Sequence, residues 1–392
     1  MAVKRISTRN KLTAKRLSFL TVLIVVLTYF HAPCLGYTYQ YADASGLTPL
    51  RWPVQVINIS FAPSLSAPPA NIKINSDVRG AARRALARWS EVTGFQFIES
   101  AASAQNVSPA STPDGINLIT VAQTTENASL FGFGSETTSR ARVFFNPVSG
   151  AISEADITIN PQLPYSTDGT PGTYDLEGVF VHEIGHLLGL DHSAIVGSTM
   201  QPLQGRNGNY NLPAITSRTL SADDRAGIQA LYGKPGDSLS ISGTVTNLHG
   251  VPIFGAHVWA ESLNSGRIIA GALSRPDGGY LIEGLVPDQY RVVVSSLNGP
   301  ISAGNLVAGN RLYRPSQSIA FLAAEATTSS GAHAIANVNF TVVSGQPTSF
   351  LNFRYQRAGL FRLPLARAQH GCVGGPGIDQ IFARQIAFFS LW

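Results

Sequence analysis

The stretch VHEIGHLLGLDHSAIVGSTMQP, residues 181–202, decides how this chain folds around its chemistry. On an α-helix, residues i and i+4 share a face, so His182 and His186 direct their imidazoles at one point. Glu183 lies roughly 100° round the helix from His182, beside that point without being a ligand. Gly189 can take a positive φ at no steric cost, so the helix can stop and the chain can turn sharply. His192 then swings back as a third ligand. Three neutral imidazoles with one open position describe a catalytic zinc rather than a closed structural one. Zinc lowers the pKa of a water in that position to about 7, and Glu183 is placed to take its proton and deliver it to a leaving amine. The plainer alternative is an apolar helix that happens to carry histidines. It accounts for one histidine but not for H-E-x-x-H-x-x-G-x-x-H.

Outward from this stretch, the pattern is that of an α+β domain. Residues 176–188 predict a helix with Asp175 as N-cap and Val181, Ile184, Leu187 and Leu188 on its core face. Residues 221–232 predict another, with Ser221 and Asp224 as a capping-box pair and Gly233 as its stop. A third is predicted over 76–93, with Ser76 as N-cap and Val78, Ala82, Leu86, Trp89 and Val92 on one face. Strand patterns occur in VQVINISF (54–61), FQFIES (95–100), INLITVA (116–122), RARVFFN (140–146) and ADITIN (155–160). The expectation is a mixed twisted sheet plus three helices. From 239 to 297 turn signals recur about every ten residues, which predicts an all-β sandwich domain after the first.

The net charge of +5 is concentrated at one end. Residues 1–16 carry six of the 28 basic residues and no acid, and the 13-residue apolar run SFLTVLIVVLTYF follows at 18–30. Small residues come next in HAPCLG. This order reads as a secretory signal peptide, 1–36, because an apolar run that short falls below the roughly 20 residues of a membrane span. Without it, 22 basic residues face 23 acidic ones, so no nucleic-acid partner and no stable membrane span are expected. The two cysteines are Cys34, in the leader, and Cys372. No intrachain disulfide is expected, and stability must come from the core and from bound metal.

The residues His182, Glu183, His186, Gly189 and His192 resemble the metzincin zinc signature. Met200 is similar to the methionine of the turn beneath the metal in that clan. With Ser193 after the third histidine and Pro202 two residues beyond Met200, the pattern resembles the matrixins, the matrix-metalloprotease family. RWSEVTG and LSADDRAGIQALYG are similar to segments of the first and last helices of a matrixin catalytic domain, and the resemblance covers about 50–233. It implies one catalytic zinc on His182, His186 and His192, with Glu183 as general base and acid and Met200 as the Met-turn. It also implies an edge strand, RARVFFN, that takes a peptide as an added strand, with Ala141, Val143, Phe144 and Pro202 as candidate substrate-binding residues. Calcium is a further possible ion by the same resemblance, with Asp114, Asp156 and Asp168 as candidates, although solvated loop positions explain isolated aspartates as well. No histidine stands between 37 and 181, so the second, structural zinc site of animal matrixins is not expected. No cysteine stands between 35 and 371, so cysteine-switch latency is not expected either.

ISGTVTNLHGVPIFGAHVWA (241–260) and PDGGYLIEGLVPDQYRVVV (276–294) resemble the carboxypeptidase regulatory-like sandwich, which implies a structural or adhesive module. His249 and His257 are expected to be ordinary strand or loop residues. The expected organisation is a signal peptide at 1–36, the zinc-protease domain at 37–235, the sandwich at 236–298, a β-rich extension at 299–356 and a tail at 357–392. The chain is expected to be a monomer acting on protein or peptide substrates. It is expected outside the cell, with the cell surface and the periplasm as variants of that location. The competing function is a cell-surface binding or adhesion protein built on an inactive metzincin platform.

Overall fold

The computed structural model describes residues 37–43, 46–195, 197–208, 218–233, 238–297, 323–328 and 334–343. The expected signal peptide, the tail and most of the β-rich extension lie outside these residues.

Strand β1 (Val56–Phe61) buries Ile57, Ile59 and Phe61 and exposes Val56, which is the alternation that a half-buried strand requires. Helix α1 (Val78–Thr93) turns Val78, Ala82, Leu86 and Trp89 inward. Its N-cap is Asp77 rather than the expected Ser76, because the Asp77 carboxylate reaches the Gly80 N–H at 3.0 Å. Gly94 closes the helix at φ 71° and the chain enters β2 (Gln96–Ala101). Strand β3 (Leu118–Thr120) and the short helix α2 (Thr125–Ala128) follow, and that helix is additional to the three expected. Strands β4 (Ser139–Phe145) and β5 (Ile152–Ile159) form a hairpin, and β6 (Tyr165–Ser166) pairs with β7 (Tyr174–Asp175). Helices α3 (Leu176–Leu187) and α4 (Ala222–Tyr232) complete the domain.

The sheet order is β2-β1-β3-β5-β4, parallel throughout except for antiparallel β4 at one edge. Helix α3 packs against α1 on one side and against β4 and β5 on another. Trp89, fully buried, joins the two helices by donating its indole N–H to the Val181 carbonyl at 2.8 Å. Arg84 adds an ion pair to Glu177 at 2.8 Å.

Strands β8 (Leu239–Asn247), β9 (His257–Ser262), β10 (Ile268–Leu273), β11 (Gly279–Leu285) and β12 (Tyr290–Ser295) build the second domain with β13 (Ala324–Thr327), β14 (Ala334–Ile335) and β15 (Phe340–Val342). One sheet runs β10-β9-β12-β13; the other runs β11-β8-β14, with β15 also on β8. The architecture is the α+β domain followed by the β-sandwich that the sequence pattern predicts. Helix α4 packs directly on β10 and β11, so the two domains share a wall. Among the described residues no helix is long and apolar enough to cross a membrane.

Candidate metal centre

Helix α3 carries two of the three histidines and is buried along its length, with only His186 part-exposed. Val181, Ile184 and Leu187 are buried with the rest of the core, and His182 and His186 stand one turn apart. Their Nε2 atoms lie 3.1 Å apart. Each Nδ1 is within 2.8 Å of a backbone carbonyl, Thr199 for His182 and Leu190 for His186. A proton on each Nδ1 leaves each Nε2 as the lone-pair donor, the arrangement that orients imidazoles on a metal. Burial pushes the His182 imidazole down to about 4, and burial together with the charge of His182 pushes His186 down to about 3. Both are therefore neutral near pH 7, as a metal requires.

The helix ends in a Schellman turn: Leu190 N–H donates to Gly185 O and Gly189 N–H to His186 O. Gly189 sits at φ +98°, and a Cβ there would lie 2.2 Å from the Leu50 carbonyl oxygen, so only glycine fits. The turn returns His192 to the other two, with ring centroids 5.3 Å from His182 and 4.9 Å from His186. Ligand atoms of the three imidazoles all lie within 4.8 Å of one another. Among the described residues no other group of three His, Cys, Asp or Glu is placed to hold a metal ion.

Glu183 follows His182 on α3 and is reached from β4 by Ser139. Its Oε1 accepts a hydrogen bond from the Ser139 hydroxyl at 2.5 Å, while its Oε2 is buried without a partner. Burial pushes this carboxyl up to about 7, against the Ser139 hydrogen bond, the charge of Arg140 and the nearby Ala141 backbone N–H, which is too poorly aligned to satisfy Oε2. Three convergent imidazoles, with a carboxylate of one buried, unbonded oxygen on the residue after His182, fit a zinc ion with a reactant in its open position.

Met200 is buried under α3. A Cβ on Gly185 would come within 2.3 Å of its sulfur, so the glycine makes room for the methionine. Asp224 holds this turn: it caps α4 through Ser221 and also accepts from Thr199 N–H at 2.8 Å and Met200 N–H at 3.1 Å. The first described residues form a second brace. Asp191 N–H donates to Thr38 O at 2.6 Å, the Thr38 hydroxyl donates to His192 O at 2.6 Å, and the Gln40 amide donates to His186 O at 2.9 Å.

Ala141, Val143 and Phe144 are partly exposed on the edge strand β4, and Pro202 is partly exposed just beyond Met200. The calcium candidates are each engaged by donors within the chain. Asp168 pairs with Lys73, Asp156 accepts from Ser108 and Leu118 N–H, and Asp114 accepts from Ile116 N–H. His249 lies in a turn, and His257 is buried at the start of β9. The sequence reading missed Ser139, Thr38, Gln40 and Asp223. The alternating Tyr37, Tyr39 and Tyr41, all buried, carried a strand signal that could have drawn attention to 37–41.

Comparison with known proteins agrees with this geometry. The matrixin family profile matches residues 58–233, and the carboxypeptidase regulatory-like domain profile matches 240–308. The chain is 31% identical over 187 residues to metalloendoproteinase 2-MMP of Arabidopsis thaliana, covering 47% of this chain and 43% of the relative. It is 37% identical over 109 residues to metalloendoproteinase 4-MMP of the same plant, covering 26% of this chain and 29% of that one. It is 30% identical over 177 residues to the hatching enzyme of Paracentrotus lividus, covering 44% and 24%. The chain thus spans less than half the length of each of these relatives. The domain that gathers the three histidines is a matrixin domain, and a carboxypeptidase regulatory-like domain follows it in the chain.

Proposed function

We propose that this chain is a secreted zinc-dependent endopeptidase, with zinc held by His182, His186 and His192 and Glu183 as general base and acid. The observation that carries the proposal is the pairing of three convergent imidazoles with the unpartnered, buried Oε2 of Glu183. When bound, zinc supplies Lewis acidity, polarising a carbonyl and lowering the pKa of water.

The protein's own groups do the rest. Ser139 fixes one oxygen of Glu183 and leaves the other to take a proton from the attacking water. A carboxylate with one unbonded oxygen can accept that proton and hand it to the leaving nitrogen. The Thr199 and Leu190 carbonyls hold the helical imidazoles in register. A peptide would lie along the free edge of β4 by strand addition, near Ala141, Val143 and Phe144, with Pro202 on the opposite rim. The catalytic unit is taken as 37–235, because residues 38–40 brace the ligand loop. The chain is taken to act as a monomer on protein substrates outside the cell.

The test uses protein starting at Tyr37. Zinc content and casein cleavage are measured with and without a chelator, beside Glu183→Ala and His192→Ala. One zinc per chain is expected, with chelator-sensitive cleavage. Glu183→Ala is expected to keep zinc and to lose about 10²–10⁴-fold in turnover. His192→Ala is expected to lose zinc. A wild-type chain without zinc would sink the proposal, and zinc without cleavage of any protein would favour the binding-protein alternative.

A further inference from the structure

The segment between His192 and Met200 is held from the far side by the second domain. Ile195, 2% exposed, belongs to an apolar cluster separate from the main core, whose other members are Trp259, Ile268 and Val293 of the sandwich. Next to it, Asp223 of α4 is fully buried and bridges the two domains. One of its oxygens accepts the Ser193 hydroxyl at 2.6 Å, and the other accepts the Gly271 N–H of β10 at 3.1 Å. Ser193 is the neighbour of His192 in the chain, and its own N–H donates to Met200 O at 2.8 Å.

The fit leaves no slack. β10 is an edge strand of its sheet, and the Gly271 N–H that would otherwise face water is the one that meets Asp223. A Cβ on Gly271 would lie 3.0 Å from Ile195 Cδ1 and 3.0 Å from His257 Nε2. On β11, a Cβ on Gly284 would lie 2.3 Å from the Ala226 carbonyl oxygen of α4. Domains within one chain usually meet through modest polar surfaces that permit motion. A buried carboxylate shared between two domains and a side chain plugged into the neighbour do not permit it.

We propose that the β-sandwich is a working part of the metal centre: by seating Ile195 and holding Asp223 against Ser193, it positions His192. This inference rests on the zinc assignment above. Ile195, Asp223 and Gly271 are positioning residues, since they act through the backbone that carries the third ligand. The sandwich is then neither a spacer nor a detachable adhesive module.

The test uses the full chain from Tyr37 loaded with Co²⁺ in place of zinc. Ile268→Ala empties the socket under Ile195, and Gly271→Ala pushes one methyl group at it. Phe340→Ala, on β15 of the other sheet, is the control for general loss of sandwich stability. Three quantities are read: the visible bands of bound Co²⁺, the rate of metal release to a chromophoric chelator, and the melting temperature. Both socket variants are expected to shift the bands and to release metal about tenfold faster, the scale found for outer-shell partners of metal ligands. Phe340→Ala is expected to melt earlier with native bands and native release. Native bands with release within about twofold of wild type in both socket variants would overturn the inference. Equal changes in Phe340→Ala would also overturn it, reducing the sandwich to a general stabiliser. A wild-type chain that binds no Co²⁺ would remove the zinc assignment itself, and the inference with it.

Discussion

Helix α3 and the segment 189–200 deliver the same kind of ligand by opposite means. On the helix, one periodicity places His182 and His186, and two carbonyls fix their rings. The segment has no repeating geometry. Its course is set by a left-handed glycine, by Thr38 and Asp191 at one end, by Asp224 at the other and by the sandwich behind. A ligand on a helix inherits its position from local hydrogen bonds. A ligand on a loop needs as many separate supports as the loop has directions in which to move.

The largest break in this comparison should come at Gly189. Gly189→Ala combines a strained φ with a contact to rigid backbone, and should destabilise the fold by more than about 2 kcal/mol in urea unfolding. A loss below about 0.5 kcal/mol would mean that the turn tolerates another path. Gly185→Ala comes next. In an exposed helix this change stabilises by roughly 1 kcal/mol. Here the new methyl meets the Met200 sulfur and Trp89, so a net loss of about 1–3 kcal/mol is expected. Met200→Ala in the same chain should recover part of it, and strict additivity in that double-mutant cycle would show that the two do not touch.

Thr38→Val removes one donor from the His192 carbonyl and should lower stability by about 1 kcal/mol. Metal should also leave faster in this variant, whereas release unchanged from wild type would detach the N-terminal brace from the loop. A further test concerns protons. The helical imidazoles are depressed to about 4 and about 3 in the folded chain, below the ordinary value near 6.5. The unfolded chain therefore takes up these protons first as pH falls, and stability declines from about 6.5 down to about 4 through His182 and down to about 3 through His186. Glu183, raised to about 7, acts with the opposite sign, its carboxyl favouring the fold as pH falls from 7 towards 4.5. In the metal-free chain, imidazole resonances of His182 and His186 should stay those of neutral rings at pH 5; protonated rings there would mean that the site is wetter than its burial implies.

The same contrast explains what could be read from sequence. The spacing of His182, His186, Gly189 and His192 encodes the site directly, because helix geometry and a left-handed turn are properties of neighbouring residues. The sandwich was legible from its alternating runs and regular turns. The N-cap of α1 was misplaced by one residue, since Ser76 and Asp77 are both good caps and only the direction of the chain decides between them. Ser139, Thr38 and Asp223 were not legible as parts of the site. Each acts on a residue 30 or more positions away, and nothing local in SRARV, YTYQY or SADDR indicates that target. Candidate ligands are thus written in short stretches, while the groups that hold them still are written across the whole chain.

The bridge from Ser193 through Asp223 to Gly271 also has a consequence in time. During synthesis at about 5–20 residues per second, the stretch from His192 to Gly271 takes roughly 4–16 seconds to emerge. Throughout that interval all three imidazoles already exist, but the strand edge that closes the assembly behind Ile195 does not. Chains arrested near residue 240 should therefore exchange metal faster than finished ones, and arrested chains that hold it equally well would refute this. On the proposed reading, the order of emergence acts as a clock: a tightly held metal is expected only once the second domain has been made.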